Sequence, residues 1–180
     1  FSTADIYGKK NIGKVNENLR YLNTNSYARS KFKSEKIFNK LNGVKVYNIR
    51  IPGVLGTDIE ENFISNLVKK IKLNYKINLF NPNNLFNNTI LVENLCNFLL
   101  NLINGKFKSG TILLGSSDPV SLERIVKIIK NILNSKSKVV WNLRNQGFYL
   151  DVSKAIKKYN FKPLKTADTI KKYIKAKYML

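Results

Sequence analysis

The sequence predicts an α/β chain with a mainly parallel sheet, and three observations predict it. β-branched apolar runs alternate with amphipathic segments of ten or more residues, the pattern of strand–helix–strand units. The 180 residues are 43% hydrophobic and 24% charged, enough to build a packed core. No internal repeat and no clean linker divides them, so no second independent domain is expected.

Each element has its own signal. Residues 1–7 read as the end of a buried strand running into Gly8, and residues 9–24 as a polar, irregular loop. From Ser26 to Leu41 the spacing is helical, with Phe32, Ile37, Phe38 and Leu41 on one side, and Asn42-Gly43 stops the helix. Val44 to Ile51 is rich in β-branched residues and reads as a strand ended by Pro52-Gly53. Asn62 to Leu73 forms an amphipathic helix around Phe63, Leu67, Val68 and Ile71, and the string NPNNLFNN at 81–88 is turn-rich. A short strand from Thr89 to Val92 leads into a helix to Ile103 that turns Leu95, Phe98, Leu99, Leu102 and Ile103 inward and closes at Gly105. Thr111 to Leu114 is a strand, Gly115 to Pro119 a turn, and Ser121 caps a helix with Leu122, Ile125, Val126, Ile129 and Leu133 inward. Val139 to Trp141 is a short strand with Trp141 in packing. Asp151 or Ser153 starts a small helix, Phe161-Lys162-Pro163 breaks it, and Thr166 opens a last helix reaching Lys175.

Composition excludes several chemistries. Cys96 is the single cysteine, so neither an internal disulfide nor a thiolate zinc site can form, and its apolar neighbours predict a core residue. Without any histidine, acid–base chemistry must use Tyr, Lys, Asp or Glu. No apolar run is long enough to span a membrane, and the opening residues carry no signal-peptide pattern. The net charge of +21 is spread through every segment with no nucleic-acid motif, which reads as a general lysine bias; neither nucleic acid nor membrane is expected as a partner. A basic surface still suits an anionic small ligand such as a diphosphate. Asp58, Glu60 and Glu61 read as favourable charge before a helix.

The chemistry-bearing residues are Thr3 in FSTADIYG and the Tyr27–Lys31 pair in NSYARSK. A tyrosine four residues before a lysine places both on one helix face. An ammonium one turn from a phenol favours the phenolate, which can then take a proton from an alcohol or return one to a ketone. A threonine hydroxyl at the end of an upstream strand can hold the same oxygen.

These strings, with Val15-Asn16-Glu17, Glu35 and IRIPGVLG, resemble the extended short-chain dehydrogenase/reductase family of nucleotide-sugar epimerases, dehydratases and reductases. NNTILVENL, GTILLGSSDPVSL, YLDVSKA and FKP continue the resemblance in order over nearly the whole chain. The resemblance implies an incomplete Rossmann-like parallel sheet with a small mixed α/β substrate-binding lobe. Residues 1–56 would be the C-terminal part of the dinucleotide-binding domain and 57–180 the lobe, with 88–114 returning to the sheet. It implies NAD or NADP as cofactor and a nucleotide-sugar as substrate. Thr3, Tyr27 and Lys31 would be catalytic; Tyr27, Lys31, Pro52 and Gly53 would line the cofactor; and Thr3, Asn62, Asn87 and Arg144 would face the substrate. It further implies a cytoplasmic enzyme of surface-polysaccharide precursor synthesis and a possible homodimer through the helix bearing Tyr27, whose outer side shows Lys33, Lys36 and Lys40.

The departures are informative. The family's glycine-rich dinucleotide turn is absent from these residues and is expected upstream of Phe1, in a longer protein; the chain alone is then expected to be inactive. The Asp-Glu pair of the 4,6-dehydratases is replaced by Ala4-Asp5, which favours an epimerase or reductase. Asn87 stands where many members have an arginine, and Arg144 is a candidate replacement. Two alternatives remain: a basic, non-catalytic polyanion-binding module, and a degenerate member that binds nucleotide-sugar without turnover.

Overall fold

A computed structural model of the chain describes residues 1–8, 12–19, 25–59, 62–143 and 146–178. In chain order the first elements are β1 (Ser2–Thr3), a 3-10 turn (Ala4–Tyr7), β2 (Gly13–Val15), α1 (Ser26–Phe38), β3 (Tyr47–Ile51), β4 (Gly53–Leu55) and α2 (Phe63–Lys72). There follow β5 (Ile77–Phe80), β6 (Leu85–Phe86), β7 (Thr89–Leu91), α3 (Val92–Asn104) and β8 (Gly110–Leu113). The last are β9 (Val120–Ser121), α4 (Leu122–Leu133), β10 (Val139–Asn142), β11 (Phe148–Leu150), α5 (Ser153–Tyr159) and α6 (Thr166–Tyr178).

The α/β class expected from the sequence is the one observed. The central sheet is parallel, in the order β1-β3-β8, with Ser2 opposite Arg50 and Tyr47 opposite Gly110. Parallel neighbours require crossovers; α1 supplies the one from β1 to β3, and α3 lies on the path to β8. Past Pro52, β4 pairs in parallel with β7, bringing Gly53 opposite Thr89. Parallel pairs β2–β11 and β5–β10 and the antiparallel pair β6–β9 complete the strands.

Three apolar clusters hold these layers. The largest lies among α2, α4 and α6, with Leu67, Ile71, Ile125, Ile129, Ile170 and Ile174 buried and Trp141 packed at its margin. A second joins α3 and α5 to β3 and β8 through Phe98, Phe161 and Tyr159. A third seats Tyr7, Ala28 and Leu150 between the 3-10 turn, α1 and β11. No helix of the described residues is long and apolar enough to cross a membrane.

The structure corrects several expectations. The chain leaves β1 for a 3-10 turn at Ala4, because Thr3 caps it and Gly8, at φ +66°, ends it in a conformation that suits glycine. Within the expected loop, Gly13–Val15 is a strand, paired with a segment far away in sequence, so no local pattern announces it. β5 was also missed; its Ile77 and Leu79 point inward in strict alternation, but asparagines dilute the signal.

The expected inner face of α1 is rotated. Ile37, Phe38 and Leu41 are exposed, whereas Ala28 and Glu35 are buried, with Phe32 packed against their cluster. The cause is electrostatic, since Glu35 must reach the buried Arg50. Ile103 is exposed, as is Cys96 rather than in the core. Phe63 is exposed, its ring lying tilted against that of Phe86. Glu60 and Glu61 lie outside the described residues.

Candidate functional site

Four elements end at one cleft of about 570 Å³, lined among others by Thr3, Tyr27, Lys31, Pro52, Gly53 and Asn62. Thr3 arrives at the end of β1, where its Oγ1 accepts a hydrogen bond from Asp5 N at 3.2 Å. That bond uses the oxygen as acceptor and leaves the hydroxyl proton to donate. Asn25 caps α1 by accepting from Ala28 N at 2.8 Å, which sets Tyr27 in the first turn. Lys31 lies one turn on, with Nζ 5.7 Å from the centre of the Tyr27 ring. Tyr27 is 53% exposed, so its phenol faces open space rather than hydrocarbon.

A buried polar hub fixes α1 against the sheet. Arg50 Nε and Nη2 donate to the two carboxylate oxygens of Glu35 at 3.0 and 2.8 Å, a bidentate pair. Its Nη1 donates to Tyr7 Oη and to the Glu17 carbonyl, each at 3.1 Å. The Glu17 carboxylate accepts from Leu113 N at 3.0 Å, tying the same segment to β8. Burial pushes the Tyr7 phenol up to about 12, with Arg50 opposing it. Burial lowers the Arg50 pKa, but the hydrogen bond and charge of Glu35, together with Tyr7, outweigh it and leave it raised. Because Glu35 is one turn beyond Lys31, this hub sets the rotation of the helix that presents Tyr27 and Lys31.

The remaining expected residues fare differently. Asn62 lines the cleft, but its amide caps α2, accepting from Ser65 N at 3.0 Å and donating to the Val54 carbonyl at 2.7 Å. Asn87 is away from the cleft wall and buried. Its Nδ2 donates to the carbonyls of Ser116 and Leu150, and its Oδ1 accepts from Leu150 N. Both amide atoms are thus engaged by backbone groups, and the residue expected to face substrate stands apart from the cleft lining. Arg144 lies outside the described residues.

The neighbour Asn88, unlike Asn87, reaches the cleft. It lines the cleft, and its buried Oδ1 has no hydrogen-bond partner among the described residues. Ser2 is in the same position, with an unpartnered, buried Oγ. Buried polar atoms are ordinarily satisfied, so these two mark a wall that a polar ligand can complete. Ala4 also lines the cleft, buried and apolar, with the exposed Asp5 beside it. Among the described residues no cluster of His, Cys, Asp and Glu could hold a metal.

No protein-family model matches the sequence, and no curated protein matches it. Solved structures do. The chain is similar to UDP-glucuronic acid 4-epimerase from Bacillus cereus, in complex with UDP-glucuronic acid and NAD, with TM-score 0.79 and 17% identity over 99% of this chain and 60% of that one. It is similar to UDP-glucose 4-epimerase from Thermotoga maritima with UDP-glucose (TM-score 0.77, 16% identity, 97% of this chain and 61% of that). It is also similar to ADP-L-glycero-D-manno-heptose-6-epimerase from Helicobacter pylori (TM-score 0.77, 20% identity, 99% and 58%). The chain thus has the fold of a large part of these epimerases and spans about 60% of their length.

Proposed function

We propose that this chain carries the proton-transfer centre and substrate lobe of an NAD(P)-dependent nucleotide-sugar epimerase or reductase. The supporting observation is the convergence of Thr3, Tyr27 and Lys31, from two separate elements, on one cleft beside Pro52 and Gly53. Residues 1–56, with 88–114, would form the cofactor side and 57–180 the lobe.

The donor set fits the nicotinamide–ribose end of a dinucleotide. Lys31 forms no ion pair among the described residues, so its ammonium protons are available to sugar hydroxyls. Pro52 and Gly53 offer a close backbone approach, and the unpartnered Ser2 and Asn88 add polar contacts. The glycine-rich pyrophosphate turn is not among these 180 residues. When bound, the cofactor supplies reversible hydride transfer at a sugar carbon. The chain's residues handle the proton. Tyr27 Oη takes it from the hydroxyl on that carbon and later returns it to the ketone oxygen. Thr3 donates a hydrogen bond to the same oxygen and holds it in register. The Lys31 ammonium offsets the phenolate charge that Tyr27 carries before it takes the proton and again after it has returned it. Ala4, having no acid to protonate a departing hydroxyl, favours epimerisation or reduction over 4,6-dehydration.

The test is turnover. The polypeptide as its source cell makes it is incubated with NAD+ and, separately, UDP-glucose, UDP-N-acetylglucosamine and UDP-glucuronic acid, and the products are separated by chromatography. Interconversion of C4 epimers is expected for one of them, and Tyr27→Phe should lower kcat by about 10²–10⁴-fold. Sugar binding with no turnover on any substrate, or full activity in Tyr27→Phe, contradicts the reading.

A further inference from the structure

Lysines that are dispersed in the sequence meet at one end of the fold. Lys69 and Lys70 share the outward stripe of α2 with Leu73. The chain then turns at Asn74, whose φ of +56° is a conformation asparagine tolerates. The Asn74 Oδ1 accepts from Lys136 N at 2.8 Å, and Ser135 Oγ donates to the Ile71 carbonyl at 2.6 Å. These bonds fasten the segment after α4 onto the end of α2, so Lys136 stands beside the Lys72–Lys76 turn. Ile77 N donates to the Lys138 carbonyl at 2.9 Å, and the parallel register of β5 with β10 sets Lys76 next to Lys138.

Among the described residues, the lysines at this end have no acidic partner. Residues 62–92, 124–150 and 169–180 contain no Asp or Glu. None of the ion pairs among the described residues involves Lys69, Lys70, Lys72, Lys76, Lys136 or Lys138. In the middle of these lysines Leu73 is 50% and Tyr75 56% exposed. A polyphosphate backbone would use the lysines but offers nothing to an aliphatic side chain at the tip of a turn. An interface with anionic headgroups above and acyl chains below uses all of them. The turn is also held in shape before any partner arrives, because Asn74 and Ser135 clamp it.

We propose that this end of the molecule docks on an anionic lipid bilayer, with the lysines at the headgroup phosphates and Leu73 and Tyr75 entering the interface. It would be a peripheral attachment, separate from the cleft and independent of the proposed activity. It departs from the sequence expectations that the lysines form no dedicated surface and that no membrane is a partner.

The experiment is co-sedimentation of the full polypeptide with vesicles of phosphatidylcholine alone, or of phosphatidylcholine mixed with phosphatidylglycerol, at low and high salt. Binding is expected only to the mixed vesicles and should fall away at high salt. The K70Q/K76Q/K136Q/K138Q variant should bind at least about tenfold more weakly. Leu73→Asn, which changes no charge, should also weaken binding. A control of equal charge loss elsewhere, K33Q/K40Q/K45Q/K106Q, should bind as the unaltered protein does. Equal loss in the control shows bulk charge at work and overturns the proposal. So does intact vesicle binding by Leu73→Asn, or a preference for single-stranded RNA that persists in that variant.

Discussion

Arg50 is the residue on which the site's geometry depends most. Its guanidinium is buried in β3, satisfied by Glu35, Tyr7 and the Glu17 carbonyl. Replacing one member of such a pair leaves the other charge buried alone, which typically costs about 3–5 kcal/mol. Arg50→Met should therefore lower stability by about that amount in urea unfolding, and the double variant Glu35→Met/Arg50→Met should recover much of the loss. Asn87 makes a second case at this scale. With three buried hydrogen bonds to two distant segments, Asn87→Ala should lower the melting temperature by several degrees, at roughly 1–3 kcal/mol for each group left unpaired. If Asn87→Ala instead raised KM at unchanged melting temperature, the side chain would be a ligand contact after all. Neither role could be read from the sequence, where Arg50 and Glu35 look like ordinary surface charges 15 positions apart.

At the scale of elements, the strongly periodic helices were legible and their orientation was only partly so. α4 buries the face its apolar spacing indicates, and α2 does so apart from Phe63 at its start, because no buried charge competes there. α1 does not, because one carboxylate–guanidinium pair outweighs three aliphatic and aromatic side chains at its exposed end. The short strands β2 and β6 were illegible, since two or three residues carry no periodicity and pairing with a remote partner defines them. The start of α5 allows a check by pH. Hydrogen bonds from the Ser153 hydroxyl and backbone N–H, together with Lys14, hold the Asp151 carboxyl below its usual 3.8. A depressed folded-state value means the unfolded chain takes up the proton first as pH falls. The stability Asp151 confers is thus complete well above pH 3.8 and vanishes as pH drops through the lower folded value. Measured by chemical unfolding, Asp151→Asn should be less stable than the unaltered protein by a constant margin near neutrality, and the margin should close under acid conditions. A margin that widens toward low pH contradicts this account.

For the whole molecule, a parallel sheet gathers the cleft. β1 and β3 end side by side, so Thr3 and Pro52–Gly53 emerge together, and the α1 crossover returns Tyr27 and Lys31 to the same rim. That these three meet at one cleft was legible because the Tyr27–Lys31 pair is local, four residues apart on one helix, and because Thr3 sits where a strand stops. Ser2 and Asn88 were not, since only the assembled wall shows that their polar atoms lack partners. The central claim is that Thr3 and Tyr27 serve one oxygen and one proton. Steady-state kcat for Thr3→Val, Tyr27→Phe and the double variant tests it directly, because residues acting as a unit lose activity non-additively. The double variant should fall about as far as Tyr27→Phe alone; losses that multiply would show the two hydroxyls acting separately and contradict the account.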